Sequence, residues 1–244
     1  MVQLHDGERV DDLMRSHLKI IQDPGKFCFG MDAVLLSGFA SAPAGARVLD
    51  LGTGTGILPI LMSAKTCAGH FEALEIQPRV ADMAARSVAM NHLEDRIHIV
   101  TGDIREADTF FAAASFDVVT CNPPYMKADA GLHNPDDAMM IARHEILCSF
   151  EDVAEAAQKL LRPGGHFYLV HRPFRLVELF ETLAQHQLEP KRMQLVYPFA
   201  DREPNMVLVD CVRGARRRLR IEKPIIVYRA PGEYSEELLT IYGY

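Results

Sequence analysis

The feature that most constrains the possible fold of this chain is a glycine loop between an apolar strand and a helix. Residues 46–51 (ARVLDL) have strand-forming composition, residues 52–56 (GTGTG) alternate glycine with threonine, and residues 57–66 (ILPILMSAKT) read as a helix. A strand that leads at once into a helix is typical of parallel sheets with helical crossovers. Alternate glycines at that turn let the backbone approach a ligand closely.

The alternation of strand and helix continues along the chain. Further strands are predicted at 70–76, 96–100, 116–120 and 166–170, and helices at 78–91, 150–160 and 174–186. Three strand-like segments then follow without intervening helices, at 192–197, 205–214 and 218–228. The pattern predicts one α/β unit with a mostly parallel sheet and an antiparallel edge hairpin.

The two ends of the pattern are less regular. Residues 8–20 are expected to form an opening helix or an irregular arm, and residues 27–40 a short strand followed by a helix capped by Asp32. We therefore divide the chain into an N-terminal arm with a short strand (1–30) and a main domain (31–244). Residues 126–142 lack periodicity and are predicted to form a long loop.

Composition favours a cytoplasmic protein. No apolar run approaches the length of a membrane span, and the N-terminus is polar and acidic, unlike a signal peptide. The five cysteines are scattered, with no Cys-x-x-Cys pair, which argues against disulfides and zinc knuckles. The histidines show no ligand spacing, so no metal site is expected. The oligomeric state cannot be predicted.

Charge is unevenly placed along the chain. The net charge is −7, and residues 1–150 hold 12 Lys and Arg against 20 Asp and Glu. From Lys159 to Arg229 there are 14 basic residues against 7 acidic ones. A polyanion could contact this basic part, although a solvated surface would also explain the imbalance.

Acidic residues end three successive predicted strands. Asp50 precedes the glycine loop, Glu75 ends the next strand, and Asp103 follows the third. Ligands of such sheets bind over the carboxyl ends of the strands, where an acid such as Glu75 can accept from ribose hydroxyls. A dinucleotide fingerprint would need glycine at position 57, which is Ile57. The pattern favours a nucleoside with a cationic amino-acid tail.

The fourth predicted strand ends in Asn122-Pro123-Pro124-Tyr125. Proline cannot continue a central strand, so the strand stops in a stiff turn. The Asn122 side-chain carbonyl and the Pro123 backbone carbonyl can accept the two N–H bonds of a planar amine, and Tyr125 can stack on a flat substrate. An amine of adenine, an amine of guanine and a glutamine amide all fit this turn.

Taken together, the segments VLDLGTGTG, LEIQ, TGD and NPPY resemble the class I S-adenosylmethionine-dependent methyltransferases that act on exocyclic or amide nitrogen. The resemblance implies a Rossmann-like, doubly wound, seven-stranded sheet and S-adenosylmethionine as cofactor. It implies that Asp50, Gly52, Gly54 and Gly56 line the methionine half, that Glu75 holds the ribose, and that Asp103 and Ile104 hold the adenine. Further candidates for cofactor contact are Thr53, Ile76, Asn122, Gly30 and Asp32.

A wider resemblance covers residues 15 to 235. The segments FCFGMDAVLLSGFA, ADMAARSVAMN, ARHE, LLRPGGHFYLVHRP and EPNMVLVDCVRG are similar to the bacterial valine-tRNA adenine-37 N6-methyltransferase family. It implies that tRNA, and valine tRNA in particular, is the substrate. Alternatives are methylation of guanine N2 in rRNA or of protein glutamine, and a non-catalytic, cofactor-sensing RNA-binding protein.

The remaining candidates concern substrate contact. Lys127, Arg143 and His144 flank the predicted 126–142 loop and could contact phosphate or the base, as could Pro124 and Tyr125. For His144 the alternative is a role in local structure. The basic cluster RGARRRLR (213–220) is expected at a hairpin tip, where Arg216, Arg217 and Arg218 could bind tRNA phosphates. Its alternative role is a solvated edge that opposes aggregation. Phe27 and Phe29 could close over the cofactor or pack in the core.

Overall fold

The computed structural model describes residues 2–25, 28–123 and 148–243. Within these residues, helices cover both faces of a central nine-stranded sheet. The strands of this sheet are β3 (Arg47–Leu51), β4 (His70–Glu75), β5 (Ile97–Thr101), β6 (Phe116–Cys121), β7 (Leu161–His171), β8 (Leu188–Tyr197), β9 (Met206–Arg213), β10 (Arg220–Ile221) and β11 (Ile225–Ile226). The helices are α1 (Met31–Phe39), α2 (Ile57–Lys65), α3 (Pro78–Met90), α4 (Ala107–Phe110), α5 (Phe150–Leu160), α6 (Leu176–Gln185) and α7 (Glu236–Tyr242).

The strand order is β10-β8-β9-β7-β6-β3-β4-β5, and β11 also pairs with β8. Strands β3 to β7 run parallel, whereas β9 is antiparallel to both of its neighbours, β7 and β8. Seven strands of five or more residues therefore form the sheet, with the β8–β9 hairpin beyond β7. This confirms the predicted fold class. The two-residue strands β10 and β11 extend the sheet further.

Each face of the sheet has its own apolar core. Alternate residues of β3, such as Val48 and Leu49, point to opposite faces. The face to which Val48 points, called the first face, packs against α1, α2, α3 and α7. The face to which Leu49 points, called the second face, packs against α4, α5 and α6. In the part of the chain that the structure describes, none of the helices is long and apolar enough to cross a membrane.

The prediction of a helix or irregular arm at residues 8–20 is wrong. The N-terminal segment forms an antiparallel hairpin of β1 (Arg9–Asp12) and β2 (Lys19–Gln22). The hairpin packs on α3, where the N–H of Ile21 donates a hydrogen bond to Ser87 Oγ at 3.0 Å. The Arg86 guanidinium donates two hydrogen bonds of 2.7 Å to the Glu8 carboxylate. Because these partners lie more than 60 residues away in sequence, local pattern could not reveal them.

The predicted strand before α1 and the Asp32 cap are also wrong. Residues 28–30 have no regular structure, and Gly30, which has no side chain, occupies the N-cap position of the helix. The Asp32 carboxylate accepts the N–H of Ala33 at 2.8 Å within the first turn. Phe27 lies outside the described residues, and Phe29 packs against the core of the first face.

Two differences concern the later strands. Strand β7 begins at Leu161 rather than at residue 166, so it includes the RPGG segment. Glycine at position 165 allows the chain to pass close to β6, since a Cβ there would lie only 3.0 Å from the Asp117 carbonyl oxygen. The segment 218–228 is divided into short pieces rather than one strand. Pro224 interrupts it, since proline has no N–H to donate to β8. Beyond these pieces, β12 (Tyr228–Ala230) pairs with β13 (Glu233–Tyr234).

Candidate active site

Three of the predicted motifs meet at the carboxyl edge of the sheet. Strand β3 lies between β4 and β6, and Leu51 is paired with Leu74 on one side and Cys121 on the other. The glycine loop after β3 is therefore flanked by Glu75 at the end of β4 and by Asn122 just after β6. The sheet topology thus brings together residues that lie far apart in sequence.

The glycine loop is held in a conformation that suits close approach of a ligand. Gly52, Gly54 and Gly56 all have positive φ, at 72°, 58° and 86°. The N–H groups of Gly52 and Thr53 both donate to the Leu74 carbonyl, at 2.9 and 3.0 Å. A Cβ placed on Gly54 would meet no described atom within 4 Å. The loop therefore borders open space that a cofactor can fill.

Glu75 connects the loop to the next strand. Its Oε2 accepts the N–H of Gly54 at 2.9 Å, and its Oε1 accepts the N–H of Gln77 at 2.9 Å. Each oxygen keeps a second lone pair, so the carboxylate can still accept from ribose hydroxyls. Ile76, the next residue, is half-buried beside it.

Asp50 is a buried carboxyl group below the loop. The Thr120 hydroxyl donates to its Oδ1 at 2.6 Å, whereas Oδ2 has no hydrogen-bond partner among the described residues. Burial raises the pKa of Asp50 to about 7, although the hydrogen bond from Thr120 opposes this rise. A buried acceptor without a partner is costly, so a cationic ligand group would satisfy it. The residues around the loop therefore fit S-adenosylmethionine.

Asp103 has a partner that the sequence did not suggest. Its carboxylate accepts the backbone N–H of Arg105 at 2.9 Å and pairs with the Arg105 guanidinium. These hydrogen bonds lower the pKa of Asp103. The neighbouring Ile104 reaches the loop, because its Cδ1 lies 3.9 Å from the position of a Cβ on Gly52. The Ile104 side chain therefore borders the glycine loop, whereas the Asp103 carboxylate is paired with Arg105.

Asn122 directly follows β6 at the carboxyl edge of the sheet, next to the strand that leads into the glycine loop. Its Oδ1 is buried and, among the described residues, has no hydrogen-bond partner. Pro123 follows it at the edge of the sheet. The other candidates in this region, Pro124, Tyr125, Lys127, Arg143, His144 and the 126–142 loop, lie outside the described residues.

The remaining predicted residues are more distant. Gly30 and Asp32 open α1, which packs against α2, the helix that follows the glycine loop. The 213–220 cluster connects β9 to β10, and β10 pairs with β8 rather than β9, so the cluster is not a hairpin tip. It lies at the amino edge of the sheet, roughly 25 Å from the site along the eight residues of β9. The structure does not bring Arg216, Arg217 or Arg218 together with Asn122.

His171 is a neighbour of the site to which sequence analysis assigned no role. Cys121 at the end of β6 is paired with Leu169, and His171 ends the neighbouring strand β7 two residues later. Its Nδ1 accepts the Arg172 N–H at 2.8 Å, and burial lowers the pKa of His171 to about 4. A neutral imidazole thus supports the strand end. The only feature of the sequence that could have indicated a place for His171 near the site is its position at the end of a predicted strand.

Comparison with known proteins identifies the family of this chain. The family model described as methyltransferase small domain matches residues 17–189. A tRNA1(Val) (adenine(37)-N6)-methyltransferase of Porphyromonas gingivalis is 31% identical over 220 residues, covering 87% of this chain and 86% of the relative. A protein of the same name from Bacteroides fragilis is 33% identical over 213 residues, with 87% of each chain covered.

A solved structure supports the fold. A predicted O-methyltransferase of Agrobacterium tumefaciens superposes with a TM-score of 0.71 at 22% identity, covering 87% of this chain and 95% of that chain. The chain belongs to the methyltransferase small domain family, and within it to the S-adenosylmethionine-dependent methyltransferases that include the two relatives from P. gingivalis and B. fragilis.

Proposed function

We propose that this enzyme methylates N6 of an adenine in tRNA, specifically adenine 37 of valine tRNA. The observation that carries the chemistry is the buried Oδ1 of Asn122, which has no hydrogen-bond partner among the described residues and lies at the sheet edge beside the glycine loop. An acceptor in that position fits an N–H donor of a substrate. The choice of tRNA rests on the printed names of relatives that align with 87% of this chain.

Different residues at the carboxyl edge of the sheet bind different parts of the cofactor. Asp50 is placed for its cationic amino-acid tail, and Glu75 for the ribose hydroxyls. Gly52 and Gly54 leave room for its body. When bound, S-adenosylmethionine supplies an electrophilic methyl carbon.

Asn122 and Pro123 prepare the nucleophile. An exocyclic amine is a weak nucleophile because its lone pair is delocalised into the ring. Two oxygen acceptors on its N–H bonds favour a pyramidal nitrogen whose lone pair points at the methyl carbon. The nitrogen would gain a C–N bond as the bond between the methyl carbon and the sulfonium sulfur breaks, leaving a thioether, and its proton would pass to water because neither oxygen is basic. Positioning and preorganised dipoles therefore provide the catalysis.

A tRNA substrate has consequences for how the base is reached and for where in the cell the enzyme acts. A base in a structured loop must leave its stack to reach a turn at a sheet edge. We place the enzyme in the cytoplasm, where tRNA is modified, and infer that it binds the anticodon arm largely through shape and phosphate contacts.

A transfer assay with three acceptors tests the proposal. Labelled S-adenosylmethionine is incubated with the protein and, separately, with unmodified valine tRNA, rRNA and cell protein, and the digested products are separated by chromatography. We expect label only in N6-methyladenosine from tRNA, and none when adenine 37 is replaced by guanine. Label in N2-methylguanosine or methylglutamine would replace the proposed substrate while keeping the Asn122 chemistry. Cofactor binding without any transfer would favour a non-catalytic RNA-binding protein.

A further inference from the structure

A second cluster of polar side chains lies on β4 and β5, away from the carboxyl edge. It comprises His70, Glu72 and His98, and one ligand atom of each lies within 4.8 Å of the others. It is the one group of three or more potential metal ligands among the described residues. The sequence analysis expected no metal site, since these histidines are 28 positions apart.

Sheet register brings the three side chains together. His70 and Glu72 are two residues apart on β4 and so point to the same face. Glu72 is paired with His98 on the neighbouring strand β5. The Glu72 Oε1 atom lies 3.1 Å from His70 Nε2 and 3.9 Å from His98 Nδ1, and the two imidazole centroids are 4.6 Å apart. Glu72 Oε1 thus lies within 4 Å of one ring nitrogen of each histidine.

These separations are close to those of a metal coordination sphere. With metal–nitrogen bonds of about 2.0–2.1 Å, tetrahedral ligand atoms lie roughly 3.4 Å from one another. Moving the ring nitrogens to these positions requires only side-chain rotation, because the backbone register already aligns them. Two imidazoles and one carboxylate form a donor set that suits zinc and other late first-row ions.

The cluster is accessible, and its charge favours a cation. The side chains of His98, His70 and Glu72 are 51%, 30% and 13% exposed, so the carboxylate forms the floor of a shallow site. Arg47 is paired with His70 across the sheet. Its guanidinium, however, contacts the Ser115 carbonyl and the Phe116 ring, on the β6 side of β3. With neutral imidazoles, Glu72 leaves the three-residue group with a charge of −1.

We propose that His70, Glu72 and His98 form a binding site for a divalent late first-row transition ion such as Zn²⁺, with water completing the coordination. The site lies about 10 Å from Glu75 along β4, because Glu72 is three residues earlier on the strand. The ion is therefore separate from the methyl-transfer chemistry. Since β5 is the edge strand, the ion would tie the edge to its neighbour and stabilise the folded state by mass action.

Calorimetry with Zn²⁺ on tag-free protein tests the site, and Co²⁺ absorption spectra report the coordination. We expect one ion per chain, a visible Co²⁺ band and a Tm that rises with Zn²⁺. His98→Ala should weaken Zn²⁺ binding by at least about tenfold and abolish the Tm rise. Glu72→Gln, which keeps the side-chain shape, should weaken binding in the same direction.

His186→Ala is the matched control. His186 Nε2 lies 2.6 Å from Glu151 Oε1, and among the described residues this pair has no third ligand. Its loss should leave Zn²⁺ affinity unchanged. The proposal is overturned if the wild-type protein binds no Zn²⁺, or if binding survives in both His98→Ala and Glu72→Gln. Because both variants are compared with wild type by circular dichroism without metal, misfolding is separated from loss of a ligand.

Discussion

Asn122 Oδ1 and Asp50 Oδ2 are both buried acceptors without a hydrogen-bond partner in the described part of the chain. Asp50 lies on β3, and Asn122 directly follows the neighbouring strand β6. A folded protein tolerates few such atoms, and those it keeps often serve a ligand. Each can be tested by one substitution.

Replacing Asn122 with alanine should remove one acceptor of the substrate amine while leaving the cofactor site intact. We expect kcat to fall by about 10²–10³-fold, the scale seen when one preorganised dipole is removed. Steady-state kinetics and cofactor calorimetry would measure this. Asn205→Ala, at an exposed position after the β8–β9 turn, serves as the control and should retain turnover. An equal fall in cofactor affinity and kcat for Asn122→Ala would instead assign Asn122 to the cofactor.

Asp50 should make cofactor binding depend on pH. Because burial raises the pKa of the free carboxyl to about 7, it is mostly protonated at pH 6 and must lose its proton to pair with a cationic tail. Affinity for S-adenosylmethionine should therefore rise from pH 6 to pH 8. Calorimetry in buffers of different ionisation enthalpy would detect the released proton. Asp50→Asn should show weaker binding with a flat pH profile, and an unchanged slope in that variant would contradict the assignment.

The same raised pKa has a consequence for stability. The folded state holds this proton more tightly than the unfolded chain, so the free energy of unfolding without cofactor should fall as pH rises from about 4 to about 7. Each unit of pKa difference corresponds to about 1.4 kcal/mol, so the loss amounts to a few kcal/mol. Denaturant titrations of wild type and Asp50→Asn at pH 5 and pH 8 would measure it.

At the scale of elements, the glycine loop can be compared with a turn elsewhere. Gly54 and Gly45 both have positive φ, at 58° and 74°, and a Cβ on either would meet no described atom within 4 Å. Alanine at each position should cost a similar backbone penalty of about 1–2 kcal/mol. Only Gly54→Ala should place a methyl group in the cofactor space. We expect it to lose cofactor affinity in calorimetry, while Gly45→Ala keeps it. Equal losses would mean that backbone strain explains both.

Elements with a strong local signal were predicted well from sequence. The helix at Phe150–Leu160, which begins with a Ser149–Asp152 capping box, has the predicted bounds, and the strand predicted at 46–51 matches β3 within one residue. The β1–β2 hairpin was missed because its stabilising partners are on α3. The His98 cluster was missed for the same kind of reason, since cross-strand register cannot be read from spacing along one strand.

Residues of the site were predictable where they end strands. Asp50, Glu75 and Asn122 each follow an apolar run, so their common edge follows from a parallel sheet. The Arg105 partner of Asp103 could not be predicted, because it depends on a 3-10 turn at Ile104–Glu106. The position of the 213–220 cluster depends on β10 pairing with β8, which no local pattern indicated.

At the scale of the whole molecule, the basic 213–220 cluster and the site lie at opposite edges of the sheet. If the cluster binds phosphates, it must contact a part of tRNA distant from the reacting base. Charge reversal at Arg216, Arg217 and Arg218 should then weaken binding of full-length tRNA and flatten its salt dependence. Methylation of a short anticodon stem-loop should be unaffected. Filter binding across salt concentrations would measure this, and equal loss with both RNAs would point to a structural role.

The position of β9 between β7 and β8 also shapes how the chain can be made. β8 is synthesised before β9 but has no direct pairing with β7, so it must wait for β9 to join the sheet. A nascent chain that ends after β8 therefore presents the β7 edge unpaired, a surface prone to strand pairing with other chains. Ribosome-bound chains should become protease-resistant only after residue 213 has left the exit tunnel. Translation speed late in the message, rather than early, would then govern the yield of folded enzyme.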